Sequence, residues 1–133
     1  MMALPRILLV GTGGTITMTP GAAGIVPTLS GEDLVRAVPE LARHANLEVV
    51  SFSAKPGASL TLEDLIGIAD LVDRRLCDGC AGAVVVQGTD TIEESAYVLD
   101  LLVASDRPVE ACQGSSAASN AWRTRPPCAS SSP

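Results

Sequence analysis

A buried strand that runs directly into a helix constrains this chain more than any other feature. Residues 84–102 read VVVQGTDTIEESAYVLDLL, and the three valines are typical of a strand buried on both faces. Thr91, followed three residues later by Glu94, is the capping-box signature of a helix start. Apolar residues then recur at helical spacing, at Ile92, Ala96, Leu99 and Val103. Thr89 and Asp90 are therefore predicted to lie between a strand end and a helix N-terminus, where open α/β sheets bind ligands.

Further strands and helices alternate along the chain before this segment. Apolar runs predict strands at Arg6–Val10, Leu47–Ser53 and Gly82–Gln87. The alternation of these strands with helical patterns predicts an α/β fold with a mostly parallel sheet flanked by helices. Residues 16–30 contain two prolines and show no periodicity, so a loop is predicted there.

The clearest helical pattern begins after Thr61, which is a predicted N-cap. Glu63 and Asp64 complement the positive end of this helix, and Gly79 is a suitable stop. The predicted apolar stripe consists of Leu62, Leu65, Ile66, Ala69, Val72 and Leu76.

Composition narrows the classes of function. Aromatic residues make up 2% of the chain and apolar residues 47%, which favours aliphatic α/β packing over a β-sandwich. A net charge of −6 argues against a nucleic-acid partner. No apolar run approaches the ~20 residues of a membrane span, and no signal peptide is predicted. The expected compartment is therefore the cytoplasm, without a membrane partner.

The four cysteines include one pair with CxxC spacing, Cys77 and Cys80. This spacing is found in redox sites and in half of a zinc site. Because neither a second CxxC nor a histidine pair accompanies it, we interpret the cysteines as unpaired cytosolic thiols. No metal and no cofactor are expected.

The composition changes abruptly near residue 109. A strand pattern begins at Arg107-Pro108-Val109 and is not continued. Residues 111–133 contain no Leu, Ile, Val, Met, Phe or Tyr, and six serines are present instead. Such a segment buries too little apolar surface to offset the entropic cost of ordering its backbone.

The predicted organisation is one incomplete α/β domain, residues 1–109, and a disordered low-complexity tail, residues 110–133. We interpret the tail as an out-of-frame translation, with a natural low-complexity tail as the alternative.

A second turn, rich in glycine and threonine, follows the first predicted strand. Residues 11–15 read GTGGT, but neither the dinucleotide fingerprint nor a P-loop follows, because position 16 is Ile16 and no GK[ST] is present. What the turn offers is hydroxyl groups, from Thr12 and Thr15, on a backbone that a ligand can approach closely. Threonine needs a neighbouring base to act as a nucleophile. Ordinary capping roles for Thr15 and Asp90 remain open at this point.

These two segments together resemble a known family. ILLVGTGGTIT, at 7–17, and the segment at 84–102 resemble the two signature segments of bacterial-type L-asparaginases, with the shared patterns TGGTI and GTDT(x)EE(x)AY(x)LDL. SGEDLVRAVPEL, at 30–41, resembles the helix that follows the family's active-site loop. The resemblance extends in order over roughly residues 5–109.

The resemblance implies an amidohydrolase that converts the side-chain amide of L-asparagine or L-glutamine to the acid and ammonia. Thr15 would be the nucleophile that forms an acyl-enzyme, and Thr89 would belong to a second hydroxyl–lysine–aspartate group. Asp90 would hold the α-amino group of the substrate. Gly14 and Gly88 would contribute to substrate binding, since backbone donors for an oxyanion are what this chemistry requires. Ser59 would be a weak substitute for the serine that contacts the substrate carboxylate. The resemblance also implies that the protein forms homo-oligomers.

Several features of the family have no counterpart in these 133 residues. The mobile-loop tyrosine is missing, a glycine aligns with the carboxylate-binding serine, and Lys55, the only lysine, lies in the wrong segment to be the catalytic one. We therefore expect this chain to be inactive. The alternatives are a non-catalytic amino-acid-binding module and a subunit of a tRNA-dependent amidotransferase, although the acidic composition argues against the latter.

Overall fold

The structure is a computed structural model. It describes residues 3–13, 18–21, 24–27, 36, 39–53, 55 and 57–112. Strands are β1 (Arg6–Gly11), β2 (Met18–Gly21), β3 (Gly24–Pro27), β4 (Asn46–Ser51), β5 (Gly82–Val86) and β6 (Val109–Cys112). The α-helices among these residues are α1 (Leu62–Cys77) and α2 (Ile92–Leu102), with short 3-10 turns at Pro39–Arg43 and Gly57–Ser59.

Four strands form a parallel sheet in the order β4-β1-β5-β6. β1 pairs with β4 on one side and with β5 on the other, in the registers Ile7↔Leu47 and Ile7↔Gly82. β5 pairs with β6, so that Ala83 lies beside Val109. The predicted fold, an α/β structure with a parallel sheet and flanking helices, is therefore confirmed.

One hydrophobic core lies between the sheet and the two helices. Alternate residues of β1 and β5 supply one side of it, because successive side chains of a strand point to opposite faces. The core residues are Leu8, Val10, Leu65, Ile68, Ala69, Val72, Leu76, Cys80, Ala83, Val85, Leu99 and Val109.

Helix α1 is closed at both ends by side-chain and backbone hydrogen bonds. The hydroxyl of Thr61 accepts from the backbone N–H of Asp64 at 3.2 Å, and the Asp64 carboxylate accepts from the N–H of Thr61 at 2.9 Å. At the other end Gly79 has a φ of 103°, the left-handed conformation that glycine adopts most readily. The N–H groups of Gly79 and Cys80 donate to the carbonyls of Leu76 and Arg75, which is a Schellman motif. The predicted N-cap and stop are confirmed.

The apolar stripe of α1 is narrower than predicted. Leu62 and Ile66 are 59% and 50% exposed, whereas Ile68, which the prediction omitted, is fully buried. A helix packed on a sheet buries residues three and four apart along a single line. Ile68 lies on that line with Leu65 and Ala69, and Leu62 and Ile66 lie beside it.

The segment between β1 and β4 differs from the predicted loop. β2 and β3 form an antiparallel pair with Met18 opposite Pro27 and Gly21 opposite Gly24. A two-residue connection between paired strands requires only local backbone hydrogen bonds. The hairpin therefore forms without the apolar alternation that would have predicted it.

β6 continues past the position at which the sequence pattern stops. The strand includes Glu110, Ala111 and Cys112, which the boundary at residue 109 assigned to the tail. Val109 and Ala111 are both buried. Small residues suffice here because β6 pairs with the largely buried β5 and packs against α2, so the strand ends later than predicted. The division into domain and tail otherwise stays a prediction.

At the amino edge of the sheet, charged side chains are mutually paired. The Glu48 carboxylate on β4 receives Arg6 Nη2 at 2.9 Å and Arg75 Nε at 3.1 Å. Cys80 is fully buried next to it, and burial, followed by the charge of Glu48, raises the pKa of its thiol. Arg107 donates to the backbone carbonyl of Cys80. This edge joins β1, β4, α1 and the segment before β6.

Candidate functional site

The carboxyl edge of the sheet contains a topological switch point. The connection after β1 leads to β4 on one side, and the connection after β5 leads to β6 on the other side. Because the two connections leave in opposite directions, the ends of β1 and β5 lie at the position where open α/β sheets usually bind ligands. The two turns singled out in the sequence follow these two strands.

Hydrogen bonds join the segments that leave this edge. Thr12, the first residue after β1, donates to the carbonyl of Val86 through its backbone N–H at 3.0 Å and through its hydroxyl at 3.1 Å. Ser53, after β4, donates from its hydroxyl to the carbonyl of Thr12 at 2.7 Å. The N–H of Gln87 donates to the carbonyl of Cys112 at 3.1 Å. The ends of all four parallel strands are therefore joined by hydrogen bonds at this edge.

The turn after β5 carries two exposed polar side chains on a buried base. Gly88 is buried, whereas Thr89 and Asp90 are exposed. Within the described part of the chain no hydrogen bond or ion pair engages the Asp90 carboxylate. With Glu93 and Glu94, also exposed, it makes an acidic rim at the start of α2. Such a rim attracts an ammonium group.

The predicted capping box at the start of α2 does not form. Thr91 is the N-cap residue, as predicted, but it makes no side-chain capping hydrogen bond. Its φ and ψ are −132° and 24°, outside the extended conformation found at Thr61, where φ is −90° and ψ is 167°. The extended conformation directs an N-cap hydroxyl at the N3 amide, and the turn over Thr89 and Asp90 imposes a different one.

Two buried polar side chains lie beneath this turn. Gln87 is fully buried and Ser95 is 1% exposed. Among the residues that the structure describes, neither Gln87 Oε1 nor Ser95 Oγ has a hydrogen-bond partner. The Nε2 of Gln87 faces the carbonyl of Gly88 at 3.5 Å, the outer limit of a hydrogen bond. Buried polar atoms without hydrogen-bond partners are uncommon in folded proteins.

The structure brings some of the predicted site residues together and leaves others outside. Gly88, Thr89 and Asp90 occupy one turn at the carboxyl edge. Ser59 ends an exposed 3-10 turn in the segment after β4, on the far side of β1 from β5. Gly14 and Thr15 lie outside the described residues, so their predicted roles stay predictions.

Lys55 is engaged in an ion pair. Its ammonium group donates to both carboxylate oxygens of Asp64, at 3.0 and 2.8 Å. Because the chain has no other lysine, its one amine is bound at the start of α1. That Lys55 lies in the wrong segment to be the catalytic lysine stays a prediction.

Sequence reasoning missed Gln87 and Ser95, and for Thr12 it named the hydroxyl but not its hydrogen bonds. For Gln87 the sequence did contain a signal: an amide side chain directly follows three valines of a buried strand, a position where polar residues are uncommon. Ser95 has helical spacing with Leu99 and could have been assigned to the buried face on that ground. The hydrogen bonds of Thr12 could not be predicted, since they depend on which strand pairs with β1.

The described part of the chain forms no metal site, no disulfide and no membrane-spanning helix. No group of three or more histidine, cysteine or acidic residues there is arranged to hold a metal ion. Cys77, Cys80 and Cys112 are thiols rather than disulfides. None of the described helices combines the length and apolarity needed to cross a membrane.

The family model and the two relatives that follow are all asparaginases. Residues 6–124 match the family model described as Asparaginase, N-terminal. L-asparaginase 2-3 of Saccharomyces cerevisiae is 42% identical over 112 residues, which cover 80% of this chain and 31% of the yeast protein. L-asparaginase 2 of Escherichia coli is 37% identical over 124 residues, covering 81% of this chain and 32% of that protein.

A solved structure shows the same fold. A probable cytoplasmic L-asparaginase from Campylobacter jejuni superimposes with a TM-score of 0.73 and 29% sequence identity. The superposition covers 80% of this chain and 34% of the other. The chain therefore spans about a third of the length of the relatives it matches.

Proposed function

The chain belongs to the asparaginase family, and we propose that its site is that of an L-asparaginase-type amidohydrolase. The proposed reaction hydrolyses the side-chain amide of L-asparagine to L-aspartate and ammonia, with L-glutamine as a possible second substrate. No cofactor is required, because the chemistry is acyl transfer to a hydroxyl and then to water.

The observation that carries this proposal is the pairing of β1 with β5. Thr12, in the first signature segment, donates twice to Val86 in the second. Two segments about 75 residues apart in sequence thus leave the sheet side by side at its switch point. A nucleophile on one turn can then act on a substrate held by the other.

The proposed roles follow from the chemistry of each group. The Thr15 hydroxyl attacks the amide carbon, the C–N bond breaks, and ammonia leaves with the proton taken from that hydroxyl. Water then cleaves the resulting ester and releases aspartate. Backbone N–H groups at Gly14 and Gly88 are suited to the oxyanion that forms in each half-reaction, and Thr89 passes the proton.

Substrate binding is assigned to the carboxyl edge of the sheet. The exposed carboxylate of Asp90 would bind the α-ammonium group in a charge-assisted hydrogen bond. The Ser59 hydroxyl, in the segment after β4, would contact the α-carboxylate. The proposed assembly is homo-oligomeric and its compartment is the cytoplasm.

The 133-residue chain itself is proposed to bind without turnover. Its one lysine is held by Asp64, so no amine is available to take a proton from Thr89. Loss of one member of a catalytic unit removes nearly all of its rate enhancement. This contact favours the second candidate function, an amino-acid-binding module, for these residues alone.

Calorimetry and an ammonia assay on the purified chain test both proposals. We expect heat on titration with L-aspartate, loss of that heat in Asp90→Ala, and ammonia release from L-asparagine no higher than in buffer. Turnover that disappears in Thr15→Ala would establish the amidohydrolase and overturn the proposed inactivity. If the chain shows no heat of binding and no ammonia release, the assigned ligand site is contradicted.

A further inference from the structure

The backbone carbonyls of β1 begin with the alternation of a regular strand. β1 lies between β4 and β5, so its successive carbonyls should point in turn to these two neighbours. The carbonyl of Pro5 accepts from the N–H of Asn46 on the β4 side, at 2.9 Å. The next carbonyl, that of Arg6, accepts from the N–H of Ala81 on the β5 side, at 2.7 Å. The strand therefore enters the sheet with regular pairing.

The alternation ends at Thr12. The Gly11 carbonyl accepts from the N–H of Phe52 at 2.8 Å, so it points to the β4 side. The Thr12 carbonyl should then point to the β5 side. Instead it accepts from the hydroxyl of Ser53, which follows β4, at 2.7 Å. Two successive carbonyls therefore point to the β4 side, and the peptide unit between Thr12 and Gly13 is reversed relative to the strand.

The reversal directs one N–H group towards the end of β5. Gly13 has a φ of 87°, in the range that residues with a side chain rarely adopt. No cis peptide bond occurs in the described part of the chain, and the N–H of a trans peptide points opposite to its carbonyl. Because the Thr12 carbonyl is directed at Ser53, the N–H of Gly13 is directed away from β4. The turn that carries Thr89 and Asp90 begins on that side of β1.

The N–H of Gly13 has the properties of an anion donor. Gly13 is half-buried, and its N–H donates to no acceptor within the described ranges. The N–H of Thr12, directed to the same side, is already used by the carbonyl of Val86 at 3.0 Å. Successive N–H groups that face one side of the backbone are a usual means of binding anions.

An amino-acid ligand needs such a donor here. Its ammonium group and its α-carboxylate are bonded to the same carbon, so both must be bound near Asp90. The acidic rim of Asp90, Glu93 and Glu94 repels a carboxylate. The ammonium group of Lys55 is paired with Asp64. A backbone donor on the β1 side of the turn therefore complements the rim.

We propose that Ser53 is a positioning residue. Its hydroxyl holds the peptide between Thr12 and Gly13 in the reversed orientation, and the N–H of Gly13 thereby binds the α-carboxylate of the amino acid whose ammonium group Asp90 holds. The identity of the ligand rests on the proposed function, whereas the hold of Ser53 on the peptide does not. One measurement without ligand and one with ligand therefore test the two parts.

Nuclear magnetic resonance of the free chain tests the hold on the peptide. Ser53→Ala removes the donor, and Ser53→Thr keeps a hydroxyl. Ser105→Ala is the matched control, because the Ser105 hydroxyl accepts from the N–H of Arg107 at 3.2 Å, at the opposite edge of the sheet. We expect the carbonyl resonance of Thr12 and the amide resonance of Gly13 to move in Ser53→Ala, to return in Ser53→Thr and to stay unchanged in Ser105→Ala. Unmoved resonances in Ser53→Ala overturn the proposal.

Calorimetry with two ligands tests the carboxylate contact. L-Aspartate is compared with L-isoasparagine, in which the α-carboxylate is an amide. We expect Ser53→Ala to lower aspartate affinity by about tenfold, the effect of losing one hydrogen bond to a charged group. Isoasparagine affinity is unchanged, and Ser53→Thr restores the affinity for aspartate. Equal losses for both ligands, or no loss, overturn the proposal.

The outcomes separate this inference from the proposed function. If aspartate binds in an Asp90-dependent way and Ser53→Ala binds it equally well, the inference fails and the proposed function stands. If the unmodified chain binds no aspartate, the ligand site and the carboxylate contact fail together. The resonances of Thr12 and Gly13 then still show whether Ser53 sets the orientation of the peptide.

Discussion

Helices α1 and α2 start from similar sequences and are held in different ways. Each begins at a threonine with an acidic residue three positions later, Thr61 with Asp64 and Thr91 with Glu94. Only the first pair forms the reciprocal bonds of a capping box. The Asp64 carboxylate accepts hydrogen bonds from the N–H of Thr61 and from Lys55, whereas Asp90 and Glu94 are exposed at the start of α2. The same pair of a threonine and an acidic residue therefore stabilises the start of α1, whereas at the start of α2 it leaves the carboxylates exposed and able to bind a ligand.

The sharpest test of this comparison concerns what holds α2. If capping contributes little there, burial of Leu99, which is 1% exposed, must contribute most. We expect Leu99→Ala to lower the free energy of unfolding by about 2–5 kcal/mol, the usual cost of a core cavity. The matched control Leu101→Ala, at a 59% exposed position, changes it by less than about 0.5 kcal/mol. Urea denaturation followed by circular dichroism measures both, and similar losses in the two variants would break the comparison.

The second prediction concerns the carboxylates themselves. Asp90→Asn removes the charge proposed to bind an ammonium group, so aspartate affinity falls by about tenfold to a hundredfold while the melting temperature is unchanged. Asp64→Asn shows the reverse pattern, with unchanged affinity and a lower melting temperature. Calorimetry and thermal unfolding on the same preparations separate the two effects. A loss of affinity in Asp64→Asn would contradict the division of roles.

The third prediction compares the caps directly. Thr61→Ala removes the hydroxyl that accepts from the Asp64 amide, and we expect a loss of about 1 kcal/mol in the free energy of unfolding. Glu94→Ala removes the residue that would have completed a box at α2, and we expect a change within about 0.5 kcal/mol. Denaturant titration of the two variants gives the answer. Equal losses would mean that α2 is capped in solution by the predicted box.

The smallest effect is the pH dependence of the α1 start. The hydrogen bond from Lys55, then the backbone N–H of Thr61, lowers the pKa of Asp64 in the folded state. A lowered folded-state pKa stabilises the fold above the ordinary value of about 3.9, and this contribution disappears as the pH falls through the folded-state value. Stability measured from pH 6 to pH 3 should therefore fall less in Asp64→Asn than in the unmodified chain. Parallel curves would exclude the Asp64 contacts as a source of acid sensitivity.

The fold was predictable because its signals are local. A run of valines, a capping pair and a glycine stop each act within a few residues, and together they predict β5, α1 and their order. The β2–β3 hairpin was missed because its short strands, MTPG and GIVP, show no alternation of apolar and polar residues. Leu62 and Ile66 were assigned to the core because they lie near the buried line of α1, whose true width is set by the sheet beneath it.

The site was predictable to the extent that it lies on single turns. Gly88, Thr89 and Asp90 were found because a polar turn follows a buried strand. The hydrogen bonds of Thr12 to Val86 depend on β1 and β5 being neighbours in the sheet, and no local sequence pattern predicts that neighbourhood. The absence of a capping bond at Thr91 depends on two backbone angles that the turn imposes, so the signature at 91–94 was misleading.

The central position of β1 has a consequence for synthesis on the ribosome. Arg6–Gly11 emerges first, yet its neighbours in the sheet begin at Asn46 and Gly82. At roughly 5–20 residues per second, β1 waits several seconds for β4 and about twice as long for β5. During that interval the apolar segment Ile7–Val10 has neither of its partners. Nascent chains of this protein are therefore expected to need a chaperone that shields short aliphatic segments until residue 86 has left the exit tunnel.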